Sequence, residues 1–273
     1  MSMTEKQLDF CLLIPCYNNL EGLILSLKSV FYDADRFVAV IVDDGSTIPI
    51  TNEAISKRIK PDYLITILRN DKNRGITDSL NKGLRWIEQN VRATYVARLD
   101  CGDICDPNRF YRQIDYMTKH PDTGLLGSWC LFEDKQSLHR YQYKTPTDHE
   151  QIMKAMHFRN VFIHPTVIFK TEILKKTGYY PSDFNYAEDY AFFWKLIKIS
   201  PSHILDDFLV TCETNNEGIS SKNRKKQLLA RAKCVAKNGT DPILKIVGML
   251  RIKALSIIPK RLALLLKGSI YRQ

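Results

Sequence analysis

Two carboxylates, Asp100 and Asp103, stand three positions apart with Gly102 between them, at the end of the apolar run 95–99. That run consists of β-forming residues with no turn residue and reads as a short buried strand. The acids therefore fall where a strand ends and a loop opens, which is where ligands bind in an open α/β sheet. Carboxylate oxygens there suit a hard divalent cation shared with the phosphates of a substrate. Taken alone, the same residues also make an ordinary polar turn with an aspartate cap. A second acidic loop, Asp43-Asp44-Gly45-Ser46, follows the apolar run 37–42, and a third polar exit, Cys16-Tyr17-Asn18-Asn19, follows the run 8–15. Asn73-Arg74-Gly75 closes the polar stretch 70–75. An aspartate at such a position can accept from a pyrimidine N–H, an aromatic can stack on the base, and an arginine can pair with a pyrophosphate.

The elements that would position these groups follow from periodicity. Residues 8–15, 37–42, 63–68 and 95–99 read as strands. Helical spacing fills the intervals: Leu23, Leu27, Val30 and Phe31 in 20–31, a short helix in 52–60, and Leu80, Leu84 and Ile87 in 76–90. Strands apolar on both faces and alternating with helices predict a mostly parallel sheet covered on each side. After Asp103 the alternation breaks. A helix is expected over 108–119, a strand over 125–132, a polar loop over 134–149 and a helix over 150–157. A strand over 161–170 is interrupted by Pro165, which restricts it to an edge or a bulge. A short helix at 172–177 ends at Gly178, and a loop at 179–187 carries Tyr179, Tyr180 and Tyr186. Glu188-Asp189 then heads a helix over 190–199, where acids also complement the helix dipole and cap free N–H groups. A last strand is expected over 205–211.

Composition narrows the function. Apolar residues make 44% of the 273 and charged residues 26%, which is ordinary for a globular chain. The net charge of +10 is concentrated: residues 221–273 hold fourteen Lys and Arg against Asp241 alone, while the first 220 carry a small net negative charge. A basic tail argues against a nucleic-acid-binding core and for an attachment segment. Seven scattered cysteines without a C-x-x-C pair fit a reducing compartment rather than a disulfide or zinc framework. No signal peptide and no membrane span is expected. The first strand is not followed by G-x-G-x-x-G, and no G-x-x-x-x-G-K-[ST] occurs, which disfavours dinucleotide and P-loop folds.

Taken in order, the pieces Pro15-Cys16-Tyr17-Asn18, Asp43-Asp44-Gly45-Ser46, Asn73-Arg74-Gly75, Leu99-Asp100-Cys101-Gly102-Asp103, Pro107-Asn108-Arg109-Phe110 with Gln113, His164-Pro165-Thr166 and Glu188-Asp189 resemble a family 2 glycosyltransferase with the GT-A fold. They cover roughly the first 200 residues. The resemblance implies a GT-A domain over 1–220, with a nucleotide-binding half to about 105 and an acceptor half beyond it. It implies that Pro15, Tyr17, Asn18, Asp43 and Arg74 hold the nucleotide of a sugar donor. Asp100 would then face the ribose and diphosphate, Asp103 would hold Mn²⁺ or Mg²⁺, and Asp189 would be the catalytic base. The family's acidic motif is often Asp-x-Asp-Asp, and its third position here is Gly102; if that position normally supplies the metal ligand, Asp103 takes over, the alternatives being weaker metal binding or a metal-free mechanism. Glu188, His164 and Trp194 are candidates for supporting or acceptor contacts. A structural histidine and a tryptophan packed beneath its helix are the plainer readings of the last two.

The implied reaction is inverting transfer from a nucleotide-sugar, a UDP-sugar first, to a glycan or lipid-linked acceptor in cell-surface polysaccharide or lipooligosaccharide synthesis. Two alternatives stay open: a sugar-nucleotide nucleotidyltransferase, and a catalytically silent nucleotide-sugar-binding module at a membrane. The first wants a Gly- and Arg-rich loop after the first strand, where Pro15-Cys16-Tyr17-Asn18 stands instead. In the tail, the polar segment 215–226 is expected to close over the donor phosphates. Helices follow over 226–237 and from Asp241-Pro242, and Pro259 interrupts before a basic amphipathic helix over 260–272. Residues 240–273 thus read either as a surface for anionic lipid, placing the chain in the cytoplasm at the inner face of the membrane, or as a solvated helix packed on the domain.

Overall fold

The computed structural model describes residues 6–134, 139–214 and 223–258. Four parallel strands form its first half: β1 (Gln7–Cys16), β2 (Phe37–Asp43), β3 (Leu64–Arg69) and β4 (Arg92–Arg98), in the order β3-β2-β1-β4. Register fixes where their loops emerge. Cys16 lies opposite Asp43, Asp43 opposite Arg69, and Leu13 opposite Arg98, so the exits share one edge. Alternation along β1 sends Phe10, Leu12 and Ile14 to one face and Cys11 and Leu13 to the other. The first set packs with Leu23 and Leu27 of α1 (Leu20–Lys28) and with Phe110, Ile114 and Met117 of α4 (Arg109–Lys119). The second packs with Leu80, Leu84 and Ile87 of α3 (Ile76–Asn90) and with the buried side of α7 (Glu188–Ile197). Asn19 caps α1 by accepting from the Gly22 amide at 3.0 Å.

The second half extends the same sheet. Among the described residues the order continues from β4 through β8 (Ile168–Lys170), β6 (Leu125–Asp134) and β9 (Ser202–Glu213) to β5 (Ile104–Cys105), with β7 (His139–Tyr143) paired to β6. The β4–β8, β6–β8, β6–β7 and β5–β9 pairs are antiparallel, and β6–β9 is parallel with bulges between Ser128 and Cys130. The short helices α2 (Asn52–Ser56) and α6 (Leu174–Thr177) bury Ile55 and Leu174, and α5 (His149–Met156) packs on β9 and α7. Two further helices, α8 (Arg224–Asn238) and α9 (Pro242–Ile257), pack on each other, and α8 packs on α7, adding Ala232, Cys234, Val235 and Ile252 to the core.

Several expectations are corrected. Residues 134–149 are not one loop: β6 runs on to Asp134, and 139–143 return beside it as a hairpin strand. The strand expected over 161–170 is only 168–170. His164–Thr166 form a 3₁₀ turn around Pro165, while Val161 and Phe162 are buried by packing rather than by sheet pairing. The last strand spans 202–213 rather than 205–211, and the helices expected over 20–31 and 52–60 stop at Lys28 and Ser56. A two-residue strand that was not expected, Ile104–Cys105, pairs with β9. The expected helix over 260–272 and most of the segment expected to close over the donor lie outside the described residues.

Gly45 turns β2 into its exit loop at φ +72°, and a Cβ there would sit 2.3 Å from the Lys72 backbone carbon. The Gly45→Ala variant is therefore expected to lose about 2 kcal/mol, read as a fall of roughly 5 °C in Tm. An unchanged Tm would mean that the two loops do not approach as described.

Candidate active site

The exit loops are held in shape by their own acids. Asp43 is buried and accepts from the Ser46 amide at 2.9 Å, the Ile50 amide at 3.2 Å and the Arg69 guanidinium. Burial alone would raise its carboxyl; the Ser46 and Ile50 hydrogen bonds and the Arg69 charge outweigh it, and the net shift is downward. Asp44 takes the Asn70 side chain at 2.7 Å and the Arg74 and Gly75 amides at 2.9 and 2.8 Å, fixing the start of α3. Asn18, at φ +50°, ties the β1 exit to the β2 exit: its amide donates to Ser46 Oγ at 2.9 Å and its side chain accepts from the Thr47 amide at 2.8 Å. Tyr17 stands exposed beside it, and Pro15 opens this exit. The Arg74 guanidinium lies at the rim, paired with Asp71 at 2.9 Å.

The end of β4 is built on a buried cation. Arg98 is fully buried; it donates to the Leu13 carbonyl, to the Leu99 carbonyl at 3.3 Å, to Asp100 Oδ1 at 2.6 Å and to His164 Nε2 at 3.3 Å. Arg109, equally buried, donates to the Arg98 carbonyl at 2.7 Å and to Gln113 at 3.2 Å, and its charge bears on Asp103. Asp103 accepts from the Glu213 amide at 3.0 Å. Burial first, and then the Asp100 charge, push its carboxyl up to about 8. Gly102 between the two acids adopts φ +101°, and a Cβ there would meet Glu213 Oε2 at 3.2 Å.

The second half of the chain comes to the same place. Tyr180 donates its hydroxyl to His164 Nε2 at 2.9 Å, and Asn81 holds the Tyr180 backbone at 2.8 and 2.9 Å. Burial first, then repulsion by Arg98, push His164 down to about 4, against the pull of both Asp100 and Asp189. At the head of α7, Asp189 Oδ2 accepts from Asn160 at 2.9 Å and Oδ1 from the Tyr190 amide at 2.7 Å. Burial and then the Asp189 charge push Glu188 up to about 7, and the Asp100 charge adds to the effect. Asp100, His164, Glu188 and Asp189, distant in the chain, thus act on one another electrostatically. Trp194 does not join them: it is fully buried between His157 and Tyr190 and offers no surface to an acceptor.

The donor set fits a cation that a ligand helps to coordinate. Among the described residues no cluster of three or more His, Cys, Asp or Glu forms a closed metal site. Asp100 and Asp103 are two neighbouring acids, one of them pushed up by the charge of the other, and a divalent ion would relieve that repulsion. Mg²⁺ and Mn²⁺ sites of this kind take one or two carboxylates and complete their shell with phosphate oxygens and water. Sequence reasoning quoted Asp44 and Arg109 among the matching pieces without giving them a role, and missed Arg98, Asn160 and Glu213. Arg98 carried a signal, since a charge within an apolar strand buried on both faces must be paired. A separate cleft lined by Gln7, Thr94, Tyr95 and Lys170 lies at the opposite ends of β1 and β4, away from these groups.

Known proteins share this chain's sequence pattern and fold. The profile of Glycosyl transferase family 2 matches residues 11–178. Over 221 residues the chain is 30% identical to the amylovoran biosynthesis glycosyltransferase AmsE of Erwinia amylovora, covering 78% of this chain and 79% of that one. It is 31% identical over 200 residues to the UDP-Gal:alpha-D-GlcNAc-diphosphoundecaprenol beta-1,3-galactosyltransferase of Escherichia coli, covering 71% of this chain and 69% of that one. Its fold is similar to that of the mannosyltransferase PcManGT of Pyrobaculum calidifontis, solved in complex with GDP-Man and Mn²⁺. The TM-score is 0.67 at 18% identity, over 98% of this chain and 82% of that one. The mixed α/β architecture is the expected GT-A arrangement.

His164 yields a pH prediction. Its folded value of about 4 lies below the ordinary 6.5, so near pH 5 the unfolded chain binds a proton that the folded chain does not. The stability it contributes is present above about pH 6.5 and is lost as pH falls toward 4. Glu188, pushed the other way, contributes stability that is lost as pH rises from about 4.5 to 7. Urea unfolding of His164→Gln against the native chain isolates the first effect. The variant should show a shallower loss of stability below pH 6.5, and parallel curves would refute the assignment.

Proposed function

Because the chain belongs to glycosyltransferase family 2, we propose that it transfers a sugar, with inversion, from a nucleoside-diphosphate donor to a hydroxyl of a glycan or lipid-linked acceptor in cell-surface polysaccharide or lipooligosaccharide synthesis. A UDP-sugar is the donor of first choice, as the name of the galactosyltransferase relative gives it for that protein. The observation that carries the reading is the Arg98 guanidinium, which holds Asp100 at 2.6 Å and His164 of the second half at 3.3 Å, where the Asp189 charge also acts on the ring.

Each step falls to a residue of this chain. Tyr17 and the loop around Asn18, Asp43 and Pro15 take the base and ribose, and Arg74 meets the pyrophosphate from the rim. An acceptor hydroxyl is a weak nucleophile at neutral pH, and Asp189 takes its proton as the new bond forms. Asn160 holds the Asp189 carboxylate in one orientation. Glu188, at about 7, carries a proton part of the time near neutrality and lessens the crowding of charge. The bond to the diphosphate breaks on the opposite side of the anomeric carbon, and no covalent intermediate is needed. A divalent cation held by Asp103 and Asp100 would, when bound, offset the negative charge growing on the leaving diphosphate. With a lipid-linked acceptor, the chain would work at the inner face of the cytoplasmic membrane. Among the described residues no helix is long and apolar enough to cross one.

Two variants test the assignment. Asp189→Asn should keep donor binding and lower kcat by about 10²–10⁴, read as UDP released from UDP-sugar, Mn²⁺ and acceptor. Full turnover would move the base elsewhere. No UDP release by the native chain with any acceptor would favour the silent module, and pyrophosphate release the nucleotidyltransferase. Asp103→Asn should abolish the Mn²⁺-dependent part of the thermal shift given by UDP while Asp189→Asn retains it. Equal shifts in the two variants would remove Asp103 from the metal site.

A further inference from the structure

The sequence of α9, PILKIVGMLRIKALSI, is amphipathic in an unusual sense: both of its long faces are apolar. One face is fixed inward. Gly248, Ile252 and Ser256 are buried, and a Cβ on Gly248 would stand 2.0 Å from the His157 carbonyl oxygen, so the helix cannot roll. Its ends are held as well. Asp241 caps the Leu244 amide at 2.8 Å, His157 Nε2 accepts from the Thr240 and Asp241 amides at 3.1 and 3.2 Å, and Arg224 of α8 donates to the Leu255 and Ile258 carbonyls at 2.8 and 3.0 Å. This setting turns Ile243, Ile246, Val247, Leu250 and Ile257 outward, at 74, 55, 49, 61 and 81% exposure. Their spacing of 3, 1, 3 and 7 places them on one stripe. Exposed Arg251 and Lys253 flank it.

A contiguous row of five large aliphatic side chains in water marks a contact surface. Its charge says of what kind. Residues 223–258 carry nine Lys and Arg against Asp241 alone, and the sequence adds four more basic residues and no acid over 259–273. A second copy docking face to face would bring these positive surfaces together, since a two-fold contact pairs a patch with itself. We propose that the stripe of α9 lies in the surface of an anionic lipid bilayer, with Ile243, Ile246, Val247, Leu250 and Ile257 among the acyl chains and the flanking Arg and Lys at the headgroups. The docked helix connects to the site: His157 beneath Gly248 packs edge-on against Trp194 at 5.1 Å, and Trp194 belongs to α7, which begins with Glu188 and Asp189. This deepens the reading of a lipid-linked acceptor, on which it rests for its purpose.

The test is sedimentation of the full chain with phosphatidylcholine vesicles, with and without phosphatidylglycerol, for the native sequence and for Ile246→Asp/Leu250→Asp. The native chain should pellet with the anionic vesicles and be released by salt. The double variant should partition at least about tenfold more weakly, with unchanged Tm and unchanged UDP release toward a water-soluble acceptor. Failure of the native chain to pellet, equal pelleting of the variant, or a native dimer in light scattering that the variant dissolves would each overturn the proposal. Normal pelleting with no transfer to any acceptor would instead fault the transfer reading and leave the docking surface standing.

Discussion

The strand ends are organised by a cation with no access to water. Arg98 sits in β4 with its guanidinium fully buried, and such a group persists only when every donor is matched. Removing one partner of a buried pair typically costs about 3–5 kcal/mol, because the other charge is left uncompensated. The Leu13 and Leu99 carbonyls, Asp100 and His164 together meet that demand. The consequence for His164 is specific. Its Nε2 faces the Arg98 N–H and must present a lone pair, so the ring is neutral and its proton sits on Nδ1; burial pushes it the same way. Tyr180 donates to that same nitrogen, and Asn81 fixes the Tyr180 backbone from α3. One buried charge thus couples the donor half of the sheet to the loop that leads into α7.

Acids at the crevice have two kinds of work. Asp43 and Asp44 are buried and accept backbone amides from the loops that follow β2 and β3. They set the shape of the rim, and any ligand contact they make comes on top of that. Asp100 and Glu188 keep partial exposure, with fewer protein partners. The division follows from hydrogen-bond supply. A carboxylate that receives two or three N–H groups is content as an anion and rigid, whereas one left beside another acid gains from a proton or a cation.

The first half of the fold was legible because its signals are local. Strands apolar on both faces leave one arrangement for β1 to β4, and helical spacing names the covering faces of α1, α3 and α4. The loops carrying Asp43, Asp100 and Asp103 therefore came out at the expected edge. The second half was harder for a physical reason. The polar stretch His139–Tyr143 forms a strand only because Cys130–Asp134 offers it hydrogen bonds, and Ile104–Cys105 only because β9 passes by. The apolar residues Val161 and Phe162 gave a false strand signal because a core position needs no ladder. The Arg98–His164 contact spans 66 positions and has no local trace beyond a charge in an apolar run.

The backbone at position 102 favours glycine. With φ at +101°, an acid at this position would pay backbone strain and press its Cβ against the Glu213 carboxylate. The β9 strand brings Glu213 to this point, and its amide holds Asp103 in place. The electrostatic outcome is lopsided. Asp100 bears by its charge on Asp103 and on Glu188, and Asp189 on Glu188, while Arg98 and Arg109 are fully buried and committed to protein acceptors. A diphosphate entering alone would meet unbalanced negative charge; on Asp103, burial first and then the Asp100 charge already push the carboxyl up to about 8. A divalent cation arriving with the donor removes both repulsions at once. That balance supports a metal shared between protein and diphosphate even with glycine at the third position of the motif.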